Sequence, residues 1–254
     1  MSEDRKLEQI FSDLAACENS MEKVEREVEQ FKATKTKDVY LKRQELTKQI
    51  PKYWFIVLSE HDDFSEYIQT DDLRFLENIT DIYVDWDLEN SRDFSITIAF
   101  DDSDNKITAQ VVTKHFKSEI DEETNQEKLV SEPATIQWPK EYDSINPYKI
   151  TDKKSAEGKK NYRKGMKTFF AWFSWTGKKA GKEFRSGEEL TRALVEDIFP
   201  YSTKYYTQAC LTGQIEGDSS SEELDVSDEE VDEKDEEEEE EEEEEHRTKK
   251  PRIN

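Results

Sequence analysis

The stretch LEQIFSDLAACENSMEKVEREVEQF, residues 7–31, decides how this chain is read. Leu7, Ile10, Leu14, Cys17, Met21, Val24, Val28 and Phe31 recur at alternating steps of three and four. That spacing is four uninterrupted heptads with apolar a and d positions. Residues 1–50 contain neither glycine nor proline, so nothing local stops the helix. Lys35 interrupts the stripe, which resumes at Val39 and Leu46 as after a four-residue stutter. A helix this long extends roughly 65–70 Å and cannot bury its stripe against itself. The expectation is a dimerisation helix over residues 1–50. The plainer alternative is a long helix lying on its own domain. The pattern leaves parallel and antiparallel pairing both open.

The middle of the chain changes period. Pro51 marks a break or the first turn of a new helix. Trp54, Val57, Leu58, His61, Phe64 and Ile68 then follow helical spacing, which makes His61 a core or edge residue. TDDLRFLENI reads as a short capped helix. Ile82, Val84 and Trp86 alternate, as do Phe94, Ile96, Ile98 and Phe100, and again Ile107, Ala109 and Val111. LVSEPATIQW supplies a fourth run ending at Pro139. Polar turns such as DDSDN and DEETNQE separate these segments. Four strands with short connections predict an antiparallel meander with one apolar face. The crowded aromatics Phe169, Phe170, Trp172, Phe173 and Trp175 predict its cover, followed by a terminal helix interrupted near Pro200. The fold class expected is α+β over residues 51–212.

The charge is unevenly spread. The formal total is −25 over 254 residues. Residues 214–245 hold 21 acids and one lysine, and the last nine residues carry Arg247, Lys249, Lys250 and Arg252. The body, residues 1–213, is therefore only mildly acidic, at −9. Residues 213–254 are expected to form a disordered acidic tail, since Gly, Ser, Asp and Glu cannot offset chain entropy by burial. Tight binding to bare DNA or to an anionic membrane is not expected; a basic protein partner is. Cys17 and Cys210 are too far apart in sequence to read as a disulfide framework or zinc site. No secretory signal or membrane-length apolar run is visible, so an intracellular, soluble protein is expected.

Several segments resemble the nucleosome assembly protein (NAP) family of histone chaperones. DFSITIAF is similar to the family's second strand, TIQW to a strand end, KTFFAWFSW to an aromatic run, and EDIFPYSTKYY to the last helix. EYDSINP and EGKKNYRKGMKTFFAWFSWTG most resemble a fungal member that is a nuclear chaperone for histones H3 and H4 and partners a histone acetyltransferase. The resemblance implies a NAP-like fold: an antiparallel homodimer through the N-terminal helix, with two earmuff domains and an acidic concave underside. Ile107 and Thr108 stand where many members carry an aromatic pair, which favours the divergent branch over members that prefer the other core histone pair.

The candidate histone contacts follow from this. Flexible carboxylates screen cationic histones weakly one by one and strongly together; Glu236, Glu240 and Glu245 stand for the ten-glutamate run. Glu188, Glu189, Glu196 and Asp197 lie between apolar positions of the terminal helix, the last two inside the EDIFP motif. Asp81, Asp85 and Asp87 alternate on the outward side of the first strand. Lys153, Lys154, Lys159, Lys160, Arg163, Lys164 and Lys167 form a basic stretch against the overall sign, facing DNA, an acidic protein surface, or only solvent. Lys249, Lys250 and Arg252 resemble a nuclear import signal read by an importin carrier; the nucleus is the expected location. Ser219, Ser220, Ser221 and Ser227 lie among acids as kinase sites.

Enzyme chemistry is not expected. His61, His115 and His246 share no motif, seven glycines form no phosphate-cradling loop, and no cofactor or metal is implied. The expected function is chaperoning of H3 and H4 and support of an acetyltransferase. The rival is an acidic coiled-coil regulatory subunit or inhibitor of another enzyme.

Overall fold

The computed structural model describes residues 3–121 and 126–213. Helix α1 runs unbroken over Glu3–Thr47, straight through the stutter at Lys35. Leu7, Ile10, Leu14, Met21, Val24, Val28 and Phe31 are each more than half exposed, Phe31 at 64%, and Cys17 is exposed too. Buried positions on α1 begin only at Ala33. The helix thus has two uses: an unpartnered apolar stripe in its first two thirds, and a packed face in its last third. α1 and the α+β body form one compact unit.

The chain turns through Lys52, whose left-handed backbone (φ 56°) starts α2, Tyr53–Glu60. Helix α3 (Phe64–Tyr67) and, after a 3-10 turn over Thr70–Asp72, helix α4 (Leu73–Leu76) follow. Strands β1 (Ile79–Trp86), β2 (Phe94–Phe100), β3 (Gln110–Ile120) and β4 (Glu127–Ser131) make an antiparallel sheet in the order β1-β2-β3-β4. Its core-facing rungs are Ile82–Ile98–Val112, Val84–Ile96–Lys114 and Trp86–Phe94–Phe116.

Two strand expectations need correction. The third strand does not alternate through Ile107, Ala109 and Val111. Ile107 is buried in the preceding loop, Val111 is 70% exposed, and the inward residues are Val112, Lys114 and Phe116. A lysine in the inner row disguises the period. The fourth strand stops at Ser131 and does not reach Pro139. Pro133 has no N–H for a ladder, and the flanking amides turn elsewhere: Ser131 N–H donates to Thr176 O (3.1 Å) and Ala134 N–H to Phe173 O (2.8 Å).

Helices α5 (Ala156–Gly165), α6 (Phe169–Trp172), α7 (Gly187–Arg192) and α8 (Ser202–Leu211) complete the body. The aromatic run is buried on all sides, as its crowding predicts: Phe169, Phe170, Trp172 and Phe173 are each at most 1% exposed. The Trp172 indole donates to Thr191 Oγ1 (3.0 Å), tying α6 to α7. Gly187 opens α7 because a β-carbon there would stand 2.3 Å from the Trp175 ring. Lys114 is wholly buried beside this run. Its Nζ donates to the carbonyls of Glu132 (2.8 Å), Phe173 (3.1 Å) and Trp175 (2.7 Å). No helix among the described residues is long and apolar enough to cross a membrane.

Candidate functional site

Of the three acids expected along the first strand, Asp81 is buried, while Asp85 and Asp87 stay exposed and are engaged in local bonds. α1 lies on that side of β1. Asp81 is 7% exposed; it accepts from Gln44 Nε2 (2.5 Å) and pairs with Lys48 (3.2 Å). Asp85 pairs with Lys37 (3.0 Å), and this bond raises the Lys37 ammonium above its ordinary pKa. Asp87 closes the following turn by accepting from the backbones of Glu89 (2.7 Å) and Asn90 (3.0 Å), which holds its carboxyl below the usual range. Alternation marks a polar strand face but not what covers it. Here Lys37 and Gln44, two turns apart on one face of α1, and Lys48 just past its end complement it.

The acids on the terminal helices divide into two groups. Past α7 the helix widens into a π-helical turn over Ala193–Ile198, with Phe199 N–H donating to Leu194 O (3.0 Å). Such turns shift the side-chain phase and recur at functional sites. Glu188 and Glu196 flank Arg192, whose guanidinium reaches Glu188 at 2.9 Å and Glu196 at 3.1 Å. Glu189 and Glu196 face solvent. Asp197 also serves as a structural acceptor: Tyr205 Oη donates to it (2.9 Å), and His61 Nε2 lies 3.2 Å away. Burial and the bond to Asp197 push Tyr205 up to about 12.

Glu196 also borders a cleft of about 410 Å³ between α1, the sheet and the π-helical turn. Tyr40, Trp86, Phe94, Leu129, Val195 and Pro200 give it an apolar part, and Glu29, Lys32, Arg92, Glu127, Arg192 and Glu196 carry its charge. Arg92 is bonded to Glu127 and lies 3.7 Å from both Glu22 and Glu29. Each arginine therefore sits between carboxylates. Solvent-accessible pairs of this kind contribute little individually, so a cationic partner can exchange for them at small cost. Ala33 and Tyr40, which line the cleft, lie about 200° and 180° round α1 from Phe31. The cleft and the free apolar stripe occupy opposite faces of the same helix.

Glu22, Glu29, Arg92, Glu127 and Arg192 are absent from the sequence-based candidates. A signal for the first two exists, since they stand one heptad apart off the apolar stripe. Arg92 and Glu127 meet only through the sheet. Glu188, Glu189 and Glu196 come together on one segment, whereas Asp81 is buried under α1 and Asp85 and Asp87, though exposed, are each bonded within the chain. Glu236, Glu240, Glu245, Lys249, Lys250 and Arg252 lie outside the described residues.

Three comparisons bear on this architecture. The model of the family described as Nucleosome assembly protein (NAP) matches residues 5–209. Vacuolar protein sorting-associated protein 75 of Saccharomyces cerevisiae is 44% identical over 205 residues, covering 78% of each chain. A putative nucleosome assembly protein of Schizosaccharomyces pombe is 30% identical over 230 residues, covering 85% of this chain and 86% of that one. A crystal structure described as that of the Vps75 histone chaperone superposes with a TM-score of 0.73 at 44% identity, over 80% of this chain and 98% of the other. The long helix, the four-stranded meander and its aromatic cover are the fold of these relatives, and the chain belongs to the nucleosome assembly protein (NAP) family.

Proposed function

We propose that this chain is a homodimeric histone chaperone that binds histones H3 and H4 and passes them to DNA. The observation that carries this reading is the 44% identity, over 205 residues, to Vacuolar protein sorting-associated protein 75, whose crystal structure is described as that of a histone chaperone. The residues present suit the task. Exposed Glu189 and Glu196, with Glu188 beside them, offer carboxylates to a basic partner, and the adjoining cleft offers an apolar floor.

The glutamate run at 236–245 adds reach by multiplying weak, salt-screened contacts. Dimerisation uses the a and d stripe of α1, which leaves the cleft side of the helix free. Support of a histone acetyltransferase is a presenting role, in which the chaperone holds the substrate histone and contributes no reacting group. The nuclear location of that work is served by Lys249, Lys250 and Arg252 as an importin-read address.

The test is binding of the full chain to purified histone pairs at physiological salt. Preference for H3–H4 over the other core histone pair is expected. Equal weak affinity for any basic protein overturns the reading in favour of a general polyanion.

A further inference from the structure

We propose that the cation face of α5 is a contact surface for the phosphodiester backbone of duplex DNA. Lys159, Lys160, Arg163, Lys164 and Lys167 border a shallow depression of about 610 Å³, together with Gln69 and Ala156. All five cations are exposed. Only Lys164 has a carboxylate in reach, Asp71 Oδ2 at 3.2 Å; the other four have none among the described residues. Four unpaired cations thus converge on one depression of a chain whose net charge is −25.

Their spacing places them on one side of a single helix and its exit, over about 12 Å of its axis. The helix is firmly seated. Ser155 caps it, its Oγ accepting from Gly158 N–H (3.0 Å). Gly165 lies so close to the body that a β-carbon would meet Ile145 O at 1.9 Å. The cations therefore project from a fixed platform.

The lining favours a phosphate backbone over an acidic protein. Protein partners are held chiefly by a few buried aromatic or arginine anchors in desolvated pockets, and this depression has no apolar side chain larger than Ala156. Backbone phosphates need no such anchor; their attraction is electrostatic and arises from counterion release. The rest of the chain is acidic and repels DNA, so the contact is weak and local. It rests on the chaperone reading for its purpose, which is to give DNA a foothold on the protein that carries the histone.

The experiment uses the full chain and a short fluorescent duplex, titrated between about 50 and 200 mM salt. The variant combines Lys159→Gln, Arg163→Gln and Lys167→Gln, all at exposed positions. H3–H4 affinity is measured on the same preparations. The wild type is expected to bind duplex more tightly as salt falls. The variant is expected to lose about 3 from the slope of log affinity against log salt, at about one per cation removed, and at least about tenfold in affinity at the lowest salt.

An unchanged slope with histone binding intact overturns the DNA contact. So does tighter capture of a polyglutamate of matched charge than of duplex, which assigns the face to an acidic protein, and so does absence of duplex binding by the wild type at low salt. Loss of H3–H4 binding in the wild type itself is a failure of the chaperone reading and not of this surface.

Discussion

The ammonium of Lys114 lies 2.7 Å from the carbonyl oxygen of Trp175, inside the core and with no carboxylate bonded to it. Two further carbonyls, of Glu132 and Phe173, complete its three donors. This lysine pins the end of the aromatic run and the exit of β4 to the middle of β3. Burial pushes its pKa down to about 7 from an ordinary value of 10.5.

The sign of the resulting pH dependence follows from proton counting. Between about pH 7 and the unfolded value near 10.4, the unfolded chain holds a proton that the folded chain does not, so this site makes stability rise with pH. Below about pH 7 both states hold the proton and the gain vanishes. Lys114→Met removes this dependence and leaves Glu132 O without its donor, costing about 1–3 kcal/mol at neutral pH. Denaturant midpoints taken from about pH 6 to about pH 9 should show the wild type gaining on the variant as pH rises. Parallel curves would contradict the buried titration.

Gly187 is the seat on which Trp175 packs. Gly187→Ala forces a β-carbon into the indole, and such overpacking costs about 1–3 kcal/mol. Thermal unfolding should report a lowered midpoint, together with reduced histone affinity because Glu188 and Glu189 follow directly in α7. A wild-type melting curve for the variant would show that the tryptophan moves aside freely.

The apolar stripe of α1 is symmetric about Asn19: Leu7 is as distant from it as Phe31, Ile10 as Val28, Leu14 as Val24 and Cys17 as Met21. Antiparallel pairing centred there sets Leu14 of one protomer opposite Val24 of the other. In a Cys17→Ser background, Leu14→Cys with Val24→Cys should cross-link across the dimer under mild oxidation, while Leu14→Cys alone should not. Cross-linking of the single variant instead would mark a parallel pair. Leu14→Asp with Val24→Asp should weaken self-association at least about tenfold, roughly 1.4 kcal/mol, as read by sedimentation.

The two sets of acids should separate by their effects. Asp81→Ala removes the acceptor of Gln44 and Lys48 and should lower stability while leaving histone affinity nearly intact. Glu189→Lys with Glu196→Lys should do the reverse, weakening H3–H4 about tenfold through repulsion of a cationic partner with little change in melting. Equal histone affinity in the second variant would remove those glutamates from the binding surface.

The parts of this fold that are legible in the sequence are those whose pattern depends on one element alone. The stripe from Leu7 to Phe31 and the alternation from Phe94 to Phe100 need no partner to be recognised. What escapes is set by tertiary contact. Lys114 belongs to an apolar row because three carbonyls converge on it, so the third strand reads out of phase. Asp81 looks solvent-facing because nothing in β1 announces that α1 lies across it, whereas Asp85 does stay exposed beside Lys37. Asp197 stands out within EDIFP, yet its partners His61 and Tyr205 come from the end of α2 and from α8 and hold it for structure. The cleft beside Glu196 draws on residues from Glu29 to Pro200 and has no local signature.

The decisive measurement is a competition. Full-length protein and a truncation ending at Leu211 are each titrated into H3–H4 mixed with DNA at physiological ionic strength. Both are expected to bind histone and suppress non-productive aggregates with DNA, the truncation more weakly because it lacks the polyanion. Binding by the full-length chain alone would contradict a histone-reading surface on the folded body, and binding by neither would contradict the chaperone function itself.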